Sequence, residues 1–318
     1  MLRRGSLANA LYQKYKIDEE LKKFDKKLWY TIDSSQVNPD LKKSFLQFYV
    51  DEETEEFVNQ SANKSSWIFT QVWHCLVTAI LNIFMTRTSI NGLLRRGSMF
   101  VFSQEQFRKL ISWNEENGRQ EQEEEEEEEE NENGTITKKK RKKSKLKLLD
   151  LGAGDGVVTS VISPLFDEIY VTEISPVMKW VLRKKGFRIL EPEVWHLENE
   201  KYDVITCLNL LDRCDRPNDI LEQMKNSLAP DGIVVLAMVL PFEPYVEIGA
   251  KNHSPSQVLD VNGNTFEHQV CSMVKNVLEP VGYEIIKWTK LPYLCEGDLR
   301  QSYYWLDDVV FVMRKKKR

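Results

Sequence analysis

A chain of 318 residues with 42% hydrophobic content can bury one large or two small cores and reads as a globular protein. Its five cysteines, Cys75, Cys207, Cys214, Cys271 and Cys295, are odd in number, scattered and without a C-x-x-C pair, so they indicate neither a disulfide framework nor a zinc site and point to a reducing, intracellular compartment. The net charge of −5 conceals a local asymmetry, because ten glutamates within Glu121–Glu132 and eight lysines and arginines within Lys138–Lys147 cancel in the sum.

The start, Met1-Leu2-Arg3-Arg4-Gly5-Ser6, is charged with no apolar stretch behind it, so no cleaved signal peptide is expected. Residues 1–66 carry scattered aromatics (Phe24, Trp29, Tyr30, Phe45, Phe48, Tyr49) at spacings that suit short amphipathic helices. Trp67–Thr86 is uncharged and about as long as a bilayer is thick. Gln71, His74, Thr78 and Asn82 recur along it at helical intervals, however, and would be unsatisfied in lipid, which makes it a core or cap helix rather than a membrane span. The Gly- and Ser-punctuated stretch Arg87–Ser98 then leads into a short helix, Gln104–Trp113.

Glu115–Ser144 is a glutamate block, an Asn-Glu-Asn-Gly break and a lysine-arginine block, too poor in apolar surface to order itself. Lys138–Lys145 suits a nuclear-import or nucleic-acid patch, but beside an equal acidic block it reads as a solvated loop, and no nucleic-acid partner is expected. The organisation expected is a helical cap over 1–113, a disordered insertion over 114–145 and a Rossmann-like domain over 146–318. Within that domain strands are expected at Leu146–Leu151, Glu168–Thr172, Phe187–Leu190, Tyr202–Leu208, Gly232–Leu240, Tyr283–Trp288 and Val309–Arg314. Helices are expected at Val157–Phe166, Val177–Lys185, Pro217–Leu228 and Phe266–Pro280. Such alternation predicts the α/β class, a mainly parallel sheet with helices on both faces whose ligand lies at the carboxyl ends of the strands.

Chemistry concentrates at those ends. Leu148-Leu149-Asp150-Leu151-Gly152-Ala153-Gly154-Asp155-Gly156 is an apolar strand, an acid and three glycines, the make-up of a nucleotide-cofactor cradle in which backbone must touch the ligand. Glu173 ends the next strand about 20 residues on, where a ribose-hydroxyl acceptor belongs. Val157 occupies the place of the third glycine of a dinucleotide fingerprint, which disfavours a nicotinamide enzyme. Asn209 and Asp212 follow the strand Tyr202–Leu208 and can point at one ligand; the plainer alternative is that Asp212 caps the helix at Pro217. Pro241-Phe242-Glu243-Pro244-Tyr245 begins a long connection, Glu243–Thr265, that is either a lid or an ordinary surface loop. Leu291–Asp298 and Tyr303-Tyr304-Trp305 frame the last hairpin with aromatics and acids.

Asp150, Gly152, Ala153 and Gly154 with Glu173 resemble the first two motifs of class I S-adenosylmethionine methyltransferases. Arg87–Phe102, Leu149–Gly156, Cys207–Asp215, Leu240–Glu247 and Leu291–Asp298 together resemble the DREV-type family of protein-histidine N-pros-methyltransferases, over about Trp67 to Met313. The likeness departs at the amino end, where that family often carries a hydrophobic leader, and at the charged insertion. It implies S-adenosylmethionine as cofactor, no metal, and methylation of one ring nitrogen of histidine in His-x-His stretches of partner proteins by a monomer without a membrane span. It further implies cofactor binding by Asp150, Gly152, Ala153, Gly154, Glu173 and Asn209, and peptide contacts from Arg87, Pro241, Phe242, Tyr245 and Tyr293. In that reading Asp212 accepts the distal imidazole N–H so that the pros nitrogen faces the methyl group, and Asn209 and Tyr304 fix the ring plane. Two other enzymes, a small-molecule and a nucleic-acid methyltransferase, and a non-catalytic protein retaining the fold are the rival readings.

Overall fold

The computed structural model describes residues 6–81, 87–94, 96–112, 127–130, 136–139, 145–197, 199–246 and 252–317. The amino-terminal part contains helices α1 (Ser6–Lys23), α2 (Pro39–Lys43), α3 (Glu52–Ser66), α4 (Ile68–Leu81), α5 (Arg87–Leu93) and α6 (Gln104–Ile111), with the short strand β1 (Met99–Phe100) ahead of α6. Local chemistry sets their starts. Asp51 accepts the Thr54 N–H at the head of α3, and Ser103 and Gln106 cap α6 reciprocally, each side chain meeting the other's backbone N–H.

The strands β4 (Lys147–Leu151), β5 (Glu168–Thr172), β6 (Arg188–Leu190) and β7 (Tyr202–Leu208) fall where the apolar runs place them. The helices α7 (Val157–Ile162), α8 (Pro176–Lys184) and α9 (Pro217–Ser227) connect them, α8 and α9 each opening on a proline whose missing N–H is not needed there. Strand β8 runs from Leu228 to Leu240, starting four residues earlier than expected. The single helix expected over Phe266–Pro280 is α10 (Phe266–Met273), then a wide π turn (Val274–Leu278) and a last turn (Glu279–Val281). The break falls where Pro280 withdraws a backbone donor.

The parallel sheet expected from the alternation is present and is extended along one edge by antiparallel strands, which makes it mixed. Among the described residues its strand order is β1-β9-β10-β8-β7-β4-β5-β6, where β9 is Tyr283–Glu296 and β10 is Tyr303–Lys315. Strands β8, β7, β4, β5 and β6 run parallel, while β10 pairs antiparallel with both β8 and β9, and β1 antiparallel with β9. The expected strands Tyr283–Trp288 and Val309–Arg314 are too short. Leu291–Asp298 and Tyr303–Trp305 do frame the last hairpin, as the two arms of its turn end, with Tyr303 opposite Glu296 and Trp305 opposite Leu294. Pro292, which ordinarily marks a strand end, sits opposite Asp307 inside the ladder.

Alternation along the strands splits the core into two layers. One face sets Leu149, Ile205, Leu236 and Phe311 against Leu221 and Met224 of α9 and Val270 and Met273 of α10. The other sets Leu148, Val204, Val235 and Val310 against Trp29, Tyr30, Phe48, Val58, Phe107 and Leu110 from the amino-terminal region. That region also joins the sheet: Leu46 donates to the Trp288 carbonyl at 2.8 Å and Trp288 to the Ser44 carbonyl at 2.9 Å.

Helix α4 inverts the expected arrangement of a core helix. Gln71 of the polar stripe is buried and donates to the Lys64 carbonyl at 3.1 Å, while Phe69, Trp73, Leu76 and Ile80 face outward; Asn82 lies outside the described residues. No helix among the described residues is long and apolar enough to cross a membrane. Of the charged insertion, strands β2 (Glu127–Glu130) and β3 (Ile136–Lys139) pair antiparallel with Glu127 opposite Lys139; the rest, and Trp113, lie outside the described residues.

Candidate active site

The turn after β4 demands glycine. Gly152, Gly154 and Gly156 have φ of +71°, +57° and +70°, where a side chain is strained. A Cβ on Gly152 would lie 2.9 Å from Leu210 and one on Gly156 2.6 Å from Leu182, whereas one on Gly154 would meet nothing within 4 Å. The turn is therefore packed beneath and open above, so that its backbone at Gly154 is exposed to an approaching ligand. Thr172 at the end of β5 holds it from the side, its hydroxyl accepting the Gly152 N–H and its carbonyl the Ala153 N–H, both at 3.0 Å. Glu173 completes the brace, accepting the N–H of Gly154 at 2.9 Å on one oxygen and that of Ser175 at 2.8 Å on the other.

Asp150 works from below. Its two oxygens take the hydroxyls of Thr159 on α7 at 2.5 Å and Thr206 on β7 at 2.7 Å. Burial pushes its carboxyl up to about 6, the two hydroxyls partly opposing the rise. The aspartate thus ties three elements under the turn rather than lining its open side.

The carboxyl end of β7 carries the second half of the site. Asn209 takes a left-handed φ of +54°, its backbone N–H bonded to the Ala237 carbonyl at 3.0 Å. Its amide nitrogen donates to Asp308 on β10 at 2.9 Å. Asp212 is buried; one of its oxygens meets the Arg213 guanidinium at 3.0 Å, and burial raises its carboxyl above the ordinary carboxylate range. It does not cap α9, whose first turn gives the backbone N–H groups of Asn218 and Asp219 to the Gln257 side chain at 3.1 and 3.3 Å. Three buried oxygens, Asn209 Oδ1, Asp212 Oδ1 and Asp308 Oδ1, have no hydrogen-bond partner among the described residues. Unpaired buried acceptors are costly, and a cluster of them in one place is a demand for donors from a ligand.

The substrate-side residues gather unevenly. Tyr245 donates its backbone N–H to the Asp212 carbonyl at 2.7 Å, and its ring stacks on His253 at 4.4 Å. Phe242 donates its backbone N–H to the Gln269 side chain at 2.8 Å, just after Pro241. The connection Glu243–Thr265 is pinned further on, where Ser256 donates backbone N–H and hydroxyl to Asp215 at 2.8 Å; residues 247–251 lie outside the described residues. Tyr293 donates its hydroxyl to the Met99 sulfur and feels the carboxyls of Asp308 and Asp212. Tyr304 is committed elsewhere: its hydroxyl donates to Asp298 at 2.9 Å, and burial with that carboxylate pushes it up to about 12. The side chain of Arg87 lies outside the described residues. Its helix, α5, packs on α8 so closely that a Cβ on Gly92 would lie 2.3 Å from Met178.

Two elements of the site escape sequence reasoning. Asp308 opens the apolar run Val309–Met313, and an acid at such a place is the available signal. Glu296 accepts the backbone N–H groups of Gly97 at 3.0 Å and Ser98 at 3.3 Å and pairs with Lys64, while Arg96 donates to the Gly297 carbonyl at 2.9 Å. The two glycine-bearing motifs near Gly97 and Gly297 are therefore halves of one structure.

The cradle fits an adenosyl cofactor: backbone open at Gly154, a carboxylate beside it, and orphaned acceptors at the end of β7 where a reacting group must sit. A sheet of this order with such a turn after its central strand defines a class I S-adenosylmethionine-dependent methyltransferase. A family profile described as DREV methyltransferase matches residues 29–142 and 133–315, and the chain belongs to that family, with S-adenosylmethionine as its cofactor. Similar solved structures include a TehB-like SAM-dependent methyltransferase from Corynebacterium glutamicum, at 18% identity and TM-score 0.36, covering 54% of this chain and 80% of that one. DhpI in complex with SAH matches at 15% identity and TM-score 0.37, over 54% of this chain and 78% of that one.

Proposed function

We propose that this methyltransferase acts on protein histidine, methylating the pros nitrogen in His-x-His stretches. The observation that carries the reading is the unpartnered buried acceptor Asp212 Oδ1, at the end of the site where the methyl group is to be transferred. A neutral imidazole offers what such a site lacks, one N–H donor, and keeps a lone pair on its other nitrogen for attack. Together with the resemblance to protein-histidine methyltransferases, this favours histidine over an oxygen or carbon nucleophile.

Gly152, Ala153 and Gly154 would hold the cofactor by their backbone, Glu173 would accept its ribose hydroxyls, and Asn209 would meet it at the end of β7. Asp150 serves that site through Thr159 and Thr206. When bound, S-adenosylmethionine would supply an electrophilic methyl group, with the thioether sulfur as the leaving group that keeps the bond electrons. Asp212 accepts the distal imidazole N–H, which fixes the tautomer, turns the pros lone pair toward the methyl and stabilises the imidazolium as the new N–C bond forms. With its carboxyl raised by burial, Asp212 is also suited to take that N–H proton when the methylated ring returns to neutral. Holding two ready reactants in line contributes on the order of 7–11 kcal/mol, so no strong base is needed. Pro241, Phe242, Tyr245 and Tyr293, together with Arg87, would serve the peptide side. Tyr304, its hydroxyl already taken by Asp298, is not assigned to the ring.

Incubation with labelled S-adenosylmethionine and a His-x-His peptide, followed by site mapping, tests the reading. Label on the pros nitrogen of one histidine is the expected result; label on lysine, arginine or the tele nitrogen, or none on peptide, overturns it.

A further inference from the structure

We propose that Asp308 is a positioning residue of the transfer site, which by holding the amide nitrogen of Asn209 presents the Asn209 oxygen to the bound cofactor. The inference rests on the reading of Asn209 as a cofactor contact. Asp308 lies on the antiparallel strand β10, opposite Val239 of β8 and Leu291 of β9, and is fully buried. An acid in that place needs a reason, because burying a carboxyl without full pairing is costly. Its one hydrogen bond among the described side chains comes from Asn209 Nδ2, at 2.9 Å.

An amide has a donor end and an acceptor end, and fixing one fixes the other. With Nδ2 bound to Asp308, Oδ1 is the end left without a partner, as observed. The left-handed backbone of Asn209, held by its N–H on Ala237, carries the side chain across from β7 to β10, two strands away in the sheet order. Burial also holds the Asp308 carboxyl well above the ordinary carboxylate range, with Asp212 adding to the rise. A neutral carboxyl still accepts from the amide through its carbonyl oxygen, so the contact survives protonation. Ammonium and ribose hydroxyls are the donors an adenosyl amino-acid cofactor brings, and an amide oxygen turned toward them is complementary to either.

The test is calorimetric titration of the full chain with S-adenosylhomocysteine, for wild type, Asp308→Leu, Asp308→Asn, Asn209→Ala and the double variant Asp308→Leu/Asn209→Ala, with melting temperature alongside. Asp308→Leu should weaken binding about tenfold while melting close to wild type, since removing a buried carboxyl with one unpaired oxygen offsets leaving the Asn209 amide nitrogen without its acceptor. Asp308→Asn keeps an acceptor for the Asn209 amide and should recover most of the loss. The double variant should bind no more weakly than Asn209→Ala alone, because both act through one contact. Unchanged affinity in Asp308→Leu, equal losses in the Leu and Asn variants, or additive losses in the double variant would each overturn the proposal. Peptide methylation is read separately: its absence in wild type would sink the histidine reading and leave the Asp308 result standing on its own.

Discussion

Glu173 accepts the backbone N–H of Gly154 through one carboxylate oxygen at 2.9 Å and that of Ser175 through the other at 2.8 Å. The acid at the end of β5 is thus built into the glycine turn, and it shapes the cradle before any ligand arrives.

Glu173→Gln should therefore do more than remove a charge. Glutamine has one acceptor and one donor at its tip, so it must turn its amide N–H₂ toward either the Gly154 or the Ser175 N–H. A donor facing a donor leaves a buried backbone group unpaired, at about 1–3 kcal/mol. Cofactor affinity should fall at least tenfold by calorimetry; wild-type affinity would remove Glu173 from the site.

Gly152→Arg combines two faults. The position has φ +71°, where a non-glycine residue costs about 1–2 kcal/mol, and its Cβ would stand 2.9 Å from Leu210. The arginine side chain must displace Leu210, next to Asn209 at the end of β7. Binding of S-adenosylhomocysteine should be lost while far-ultraviolet circular dichroism still shows the folded sheet, and retained binding would contradict the placement of the cofactor.

The strands that build the cradle are legible because each is a local event: Glu168–Thr172 and Tyr202–Leu208 are apolar runs cut off by polar or glycine residues, and both have the expected bounds. The last hairpin is not legible in that way. Thr289, Lys290 and Pro292 interrupt its apolar run, and only pairing with the distant Asp307 to Val310 keeps them in a strand. The same holds for Asp308, whose meaning depends on Asn209, and for Glu296, whose partners lie near Gly97. Helix α4 shows the reverse failure: its polar stripe is correctly spaced, but which side faces inward is set by what it packs on, and Gln71 is the buried one.

Asp150 should give stability a measurable pH dependence. Its carboxyl is raised from 3.8 to about 6 by burial, so the folded state holds the proton more tightly than the unfolded chain. The contribution is present in full below about pH 4 and is lost as pH rises through about 6. It amounts to roughly 3 kcal/mol in all, because each tenfold gain in proton affinity is worth about 1.4 kcal/mol. Asp150→Asn cannot titrate there. The difference in unfolding free energy between wild type and Asp150→Asn should move in favour of the variant between pH 4 and 7; a flat difference would mean that Asp150 is charged throughout.

Deleting 115–144 should leave peptide methylation within a few-fold. Helix α6 ends at Ile111 with Ser112 bonded to Lys287 at 3.2 Å, and Lys145 pairs with Glu168 at 2.9 Å, so both flanks of the insertion are held by the folded domain. Closing a loop of different length alters stability by only about 0.6 kcal/mol per doubling. A collapse in turnover with unchanged melting temperature would show that the charged blocks recruit substrate.

Asp212→Asn is the sharpest test of the chemistry. The carboxylate keeps one oxygen on Arg213 at 3.0 Å and leaves the other buried and unpartnered, so a single acceptor is aimed at the incoming ring. Asparagine has nearly the same shape, and its backbone carbonyl still receives Tyr245, which leaves the peptide-side loop in place. The Arg213 guanidinium can only donate, so it selects the amide oxygen and turns the amide N–H₂ toward the imidazole. The ring then meets a donor with its lone-pair nitrogen, the pros nitrogen is left protonated, and attack on the methyl group is blocked. Loss of one such orienting and charge-stabilising group costs roughly a hundredfold or more in turnover. Cofactor affinity should change little, since Gly154 and Glu173 are untouched. Steady-state kinetics with the His-x-His peptide, read beside a calorimetric Kd, decides the point: a normal kcat in Asp212→Asn would refute tautomer selection by this carboxylate, and equal losses in kcat and cofactor affinity would make Asp212 a binding residue instead.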